Sequence, residues 1–311
     1  MIIWVLFACG ENKASPNPND TFDAIDAREV WPESEADIIL TPPDIIVSEY
    51  TDQQMCWTTT YTGPDVGVVA GVFRQSDAYG HHVIVMRSRA DEDDLPDGTI
   101  IDCTEETDMT DMEPFILPSE VGTNGLTYLD LPDGMGNKLK SGTRMMVQSH
   151  HINATDSPVL VNDRVELFSV PIEEVETFVA PLAHTSTSFE IPPGEHEISV
   201  TCTFDNDYNF LYILGHMHEW GTFFSIDYNR VDGTTERIYT IEQWDVLYRD
   251  LPPIESFDDM GFSVLAGESF TTTCRWENTT GEPLGFPEEM CVSTGMIFPS
   301  TVTMICDQDP D

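Results

Sequence analysis

Six of the eight histidines in this 311-residue sequence fall into three tight clusters: His81-His82, His150-His151 and His216-Met217-His218. Imidazole is the commonest side-chain ligand for zinc and copper, so clustered histidine points first to a metal. In a β-strand residues i and i+2 share a face. On a strand, His216 and His218 therefore grip one ion, with Met217 turned away. Adjacent residues point to opposite faces, so His81 and His82 share an ion only if the backbone bends, and Gly80 eases such a bend. By the same rule only one of His150 and His151 faces inward on a regular strand, and Gln148 shares the face of His150. Any one cluster taken alone is more often surface histidine than a metal site; three together argue for metal. His184 and His196 stand apart and are expected to be structural.

The elements that must position these residues are strands. Gly 20 and Pro 21, scattered among Val, Ile, Thr and Phe, favour short strands joined by turns, and no stretch holds a helical period. Strand candidates include residues 66–73, 82–86, 143–150, 188–191, 196–203, 210–218, 222–228, 268–276 and 291–298. This spacing predicts an all-β protein of two antiparallel, jelly-roll-like β-sandwich domains in tandem, residues 36–170 and 175–311. The boundary is placed near 168–178, where Pro171-Ile-Glu-Glu-Val-Glu176 breaks the strand pattern. No sequence repeat relates the halves.

A net charge of −43 argues against nucleic acid as a partner, because phosphate contacts need clustered Lys and Arg. It reads as a solvated surface. The densest acidic run, residues 90–98, offers carboxylates to calcium, although such runs are usually solvated loops. Residues 1–9 are apolar and too few to span a bilayer; they resemble the end of a secretory signal. Leu6-Phe7-Ala8-Cys9 is similar to a bacterial lipobox, which implies a lipid anchor through Cys9 and an exported, periplasmic or cell-surface bacterial lipoprotein. Residues 10–35, rich in Asn, Asp, Pro, Ser and Glu, read as a flexible tether. Without Cys9 an even set of six cysteines remains, which in an exported chain suggests disulfides, with fifteen pairings open.

The histidine motifs resemble those of the copper type II, ascorbate-dependent monooxygenases, the family of peptidylglycine alpha-hydroxylating and dopamine beta-monooxygenases. In that family each of two sandwich domains carries one copper. The resemblance implies that His81, His82 and a histidine of His150-His151-Ile152-Asn153 hold the first. His150 is the match; His151 stands where the family has tyrosine, and the choice between the two stays open. It implies that His216, His218 and Met290, in Glu288-Glu289-Met290-Cys291, hold the second. Ile191-Pro-Pro-Gly-Glu195 ahead of the His-X-His, and Gln148 two residues before His150, also match, over roughly residues 38–308. The implied disulfides are Cys56–Cys103, Cys202–Cys306 and Cys274–Cys291.

A thioether is a soft ligand that favours Cu(I), so Met290 beside two histidines suits copper better than zinc. The implied reaction hydroxylates a substrate C–H bond with O2 and a one-electron reductant such as ascorbate. The chemistry belongs to the copper of His216, His218 and Met290, and the second electron comes from the three-histidine copper. Gln148 is a candidate for positioning water or the electron path, or else simply packed. The sequence departs from the peptide-hydroxylating members at their substrate anchors, where Leu214, Val292 and Thr294 stand. The expected small-molecule substrate is therefore not a peptidylglycine. Trp220, Trp244 and Phe286 are candidate pocket residues, with core packing as their ordinary role. The alternative is a non-catalytic copper-binding or storage lipoprotein. A zinc hydrolase is weaker, for no His-Glu-X-X-His pattern occurs.

Overall fold

The computed structural model of the protein describes residues 24–90, 94–103, 112–121, 125–249, 252–257, 260–286 and 288–310. The signal-like segment with Cys9, the first part of the tether and part of the acidic run at 90–98 lie outside these residues. The described chain is all-β and sandwich-like, with only 3-10 turns as helical structure.

A twelve-stranded sheet runs through both halves. Its join is a parallel pairing of Met135–Leu139 with Thr177–Thr185, in which Asn137 registers with Val179. A five-stranded sheet covers the N-terminal part, in the order Ile100–Asp102, Thr51–Thr60, Arg144–Asn153, Gly80–Ser88, Met112–Ile116. Between the two layers lie Phe73, Val83, Val85, Phe115, Leu139, Val147 and Leu167, all nearly fully buried. A four-stranded sheet of Gly194–Thr203, Ser269–Asn278, Gly221–Asn229 and Thr235–Ile241 covers the C-terminal part. Phe204, Phe210, Phe224, Phe270 and Trp276 fill that second core. Alternation explains the layers: in Ser269–Asn278 every second residue, from Phe270 to Asn278, is buried.

The pattern break at Pro171 is a single 3-10 turn, Ile172–Glu174, between strands Asp163–Pro171 and Thr177–Thr185. Leu211, Tyr212, Met296 and Phe298, from C-terminal strands, pack into the N-terminal core. That shared packing was not visible in local sequence pattern.

Three disulfides pin the sheets: Cys56–Cys103, Cys202–Cys306 and Cys274–Cys291. They are the pairs the resemblance implies, and they mark a protein of an oxidising, extracellular or periplasmic type of environment.

Candidate metal centres

The strand Arg144–Asn153 is central in the five-stranded sheet, and it carries His150. On one side His150 registers with Gln54; on the other it registers with His82, while His151 registers with Gly80. His81 is thus an extra residue, a β-bulge, and the bend it makes lets two adjacent histidines turn to one side. Gly80 has to be glycine: a Cβ there would stand 2.4 Å from Gln75 Cβ and 2.8 Å from the Ser76 carbonyl oxygen. The Gly80 amide donates to that same carbonyl at 2.7 Å, closing the turn that feeds the bulge.

The result is a three-imidazole cluster. Potential ligand atoms of His81, His82 and His150 all lie within 4.8 Å of one another. The Nδ1 atoms of His81 and His82 are 3.2 Å apart. His150 engages Asp52 Oδ1 through Nε2. The hydrogen bond to His150 holds the Asp52 carboxyl below its usual range, against the opposing effect of burial; the charges of Arg249 and His81 add to the lowering.

His150, and not His151, is the histidine in this cluster. His151 points to the opposite face, where Nε2 meets Asp163 Oδ1 at 3.1 Å with both side chains fully buried. Gln148 is buried on the His150 strand, and its amide donates to Gln54 Oε1 at 2.9 Å. It packs beside the cluster as part of a glutamine pair across the two strands.

The second cluster forms differently from the expectation of one strand face. The strand ends at His216, and His218 lies in the following turn. The cause is a buried carboxylate that local pattern did not reveal. Glu289 accepts the backbone amides of His218 at 3.0 Å and Trp220 at 2.8 Å, and the indole N–H of Trp276 at 2.9 Å. These bonds replace a strand ladder with a fixed turn. Burial raises the Glu289 carboxyl, opposed by the amides that it accepts. The imidazoles still converge, with Nε2 of His216 and Nε2 of His218 at 3.1 Å. His218 Nδ1 donates to the Glu288 carbonyl at 2.9 Å. Met217 is fully buried in the C-terminal core, turned away as expected.

Met290 is half-buried and bracketed by residues touching the pair. Glu288, two before it, holds the His218 ring, and Val292, two after it, registers with His216. Cys291 beside it is tied to Cys274.

No family model matches this chain, and no curated protein matches it. Among solved structures it is similar to the major capsid protein P2 of bacteriophage PM2, at 12% identity and TM-score 0.35, covering 82% of this chain and 98% of that one. It is also similar to recombinant N-glycanase F, at 10% identity and TM-score 0.34, covering 85% and 97%. A third is PNGase F, a glycosylasparaginase from Flavobacterium meningosepticum, at 9% identity and TM-score 0.30, covering 85% and 98%. Scores this low carry neither an activity nor a metal to this chain.

Of the candidate pocket residues, Trp244 is core: it is nearly buried, and its indole N–H donates to the His218 carbonyl at 3.0 Å. Trp220 and Phe286 are half-buried. His184 is buried, with Nδ1 3.1 Å from Thr272 Oγ1 and 3.2 Å from Ser293 Oγ, a structural setting. His196 is half-buried in its strand.

Proposed function

We propose that this protein is an exported, copper-dependent monooxygenase that hydroxylates a C–H bond of a small, weakly polar organic molecule with O2 and a one-electron reductant such as ascorbate. The observation that supports it most is the convergence of two unlike clusters, the three imidazoles of His81, His82 and His150 and the imidazole pair His216–His218, whose second ring is held by the carbonyl of Glu288, two residues before Met290.

The donor atoms fit a metal. Two nitrogens each about 2.05 Å from one ion, at angles of about 90–110°, stand roughly 2.9–3.4 Å apart. The 3.2 Å and 3.1 Å separations fall within this range. The outer contacts fit as well. Metal-bound histidine commonly gives its other ring N–H to a carboxylate or carbonyl. Asp52 takes Nε2 of His150, and the Glu288 carbonyl takes Nδ1 of His218. His150 would then bind through Nδ1 and His218 through Nε2. The donor sets favour copper over structural zinc, because the cysteines are spent in disulfides and a thioether prefers Cu(I).

When bound, copper supplies the one-electron redox chemistry and the activation of O2. The chain's own residues do the rest. Glu289 fixes the His218–Trp220 turn and so the angle between His216 and His218. Asp52 orients the His150 ring. Leu214, registered with Thr294 and Ile254, gives the His216 strand no charged group for a substrate carboxylate. The Thr294 hydroxyl is occupied in donating to the Leu182 carbonyl at 2.6 Å.

The test loads the protein with copper, adds ascorbate and a panel of small apolar and phenethylamine-like molecules, and follows oxygen uptake with product analysis. Substrate-dependent uptake with a hydroxylated product is expected. Binding of two coppers with no substrate-dependent uptake would overturn the enzyme reading in favour of a copper-binding or storage protein.

A further inference from the structure

One side chain of the C-terminal half reaches carboxylates next to both histidine clusters. Arg249 ends the short 3-10 helix Val246–Arg249. The helix is anchored on the C-terminal side: the Leu247 amide donates to Asp245 Oδ1 at 3.0 Å, and the indole of Trp244 donates to the His218 carbonyl. From that base the guanidinium contacts one carboxylate of each half. Its NH1 donates to Glu219 Oε1 at 2.8 Å, and its NH2 lies 3.4 Å from Asp52 Oδ2. Glu219 is the residue that follows His218 in the chain, and the other oxygen of Asp52 is on His150.

We propose that Arg249 is a positioning residue that clamps the two metal centres to one another, through Asp52 on the three-histidine side and Glu219 on the His-X-His side. This rests on the copper reading for its purpose, though the clamp itself is a property of the bare chain. The planar fork of arginine suits the task, since separate N–H groups serve two carboxylates at once. A simple surface ion pair is worth little. Here the arginine side chain is only 18% exposed, although Asp52 and Glu219 are each 44% exposed, and among the described residues it reaches a carboxylate in each half. Its role is geometric: it joins the His150–Asp52 contact to the His218–Glu219 turn in one continuous set of contacts.

The clamp is tested first on the metal-free, full-length protein. Asp52→Asn, Glu219→Gln and Arg249→Gln are made singly and in every combination, and thermal midpoints are measured. Asp52 and Glu219 should interact through Arg249: their losses combine to less than their sum with arginine in place, and become additive in the Arg249→Gln background. Additive losses in both backgrounds would overturn the clamp. The second readout is the magnetic coupling between the two Cu(II) ions of the loaded protein. Arg249→Gln should weaken or broaden it while each site keeps its copper affinity, which a purely stabilising arginine would not do. Unchanged coupling overturns the positioning role. If no pair of coppers binds at all, the copper reading fails, and the metal-free cycle alone decides the clamp.

Discussion

At the scale of single residues, the three-histidine cluster depends on a backbone irregularity as much as on imidazoles. Without the bulge, His81 and His82 would face opposite sides of the sheet, and only His82 would meet His150. Gly80→Ala puts a methyl group into Gln75 and the Ser76 carbonyl, so the turn must open. The expected outcome is loss of copper from this cluster by at least tenfold in affinity, with the His-X-His copper retained, as read by titration with a Cu(I) chelator. Loss at both sites together would mean general unfolding and contradict the local account. The bend at His81-His82 was legible in sequence because two adjacent histidines cannot share an ion otherwise. The choice of His150 over His151 was not, because its deciding partners, Asp52 and Asp163, come from distant strands.

At the scale of elements, the His-X-His cluster is a turn held by one buried acid. Hydrogen bonds to a charged acceptor are worth about 1.5–3 kcal/mol each, and Glu289 accepts those of three backbone amides, of His218, Trp220 and Met290, and an indole. Glu289→Ala leaves those donors buried without an acceptor. It should cost about 3 kcal/mol or more in stability, measured by denaturant melts. Its effect on copper should fall on the His216–His218 site and spare the other. Equal weakening of both sites would show that Glu289 acts on global stability alone. Strand periodicity had carried the expected strand on through residue 218, because alternating polarity cannot show where an acid from residue 289 captures two amides. The other expected strands fall on observed ones, as 66–73 within Val66–Gln75 and 222–228 within Gly221–Asn229, but Thr51–Thr60, Asp163–Pro171 and Thr177–Thr185 were not read from the sequence.

At the scale of the whole molecule, the outstanding property is charge. A net −43 means strong self-repulsion in the compact state, screened by salt over a Debye length of about 10 Å at 0.1 M. Raising NaCl from about 10 mM to about 500 mM should raise the melting temperature by several degrees; no change would show the charge to be locally compensated. Acid acts in the opposite sense at paired carboxylates. Glu166 is desolvated, yet Arg74 and Arg164 hold its carboxyl below the ordinary value of 4.5. A lowered folded-state pKa gives stability that is present above the unfolded value and lost as pH falls through the folded one. Glu166→Gln should therefore flatten the acid limb of the stability curve below about pH 4.5; an unchanged limb would assign acid unfolding to other groups. The all-β sandwich class was legible from strand spacing, whereas the sheet joining the halves through Met135–Leu139 and Thr177–Thr185 was not, since parallel long-range pairing leaves no local mark.

The central claim is that five imidazoles and one thioether make two unlike copper pockets. X-ray absorption on the Cu(I)-loaded protein tests it most directly, with wild type beside Met290→Ile. The wild type should show nitrogen scatterers and one sulfur scatterer per two coppers, on the His216–His218 copper only, and Met290→Ile should lose the sulfur while the three-histidine copper stays. Absence of sulfur in the wild type, or its survival in Met290→Ile, would contradict the account.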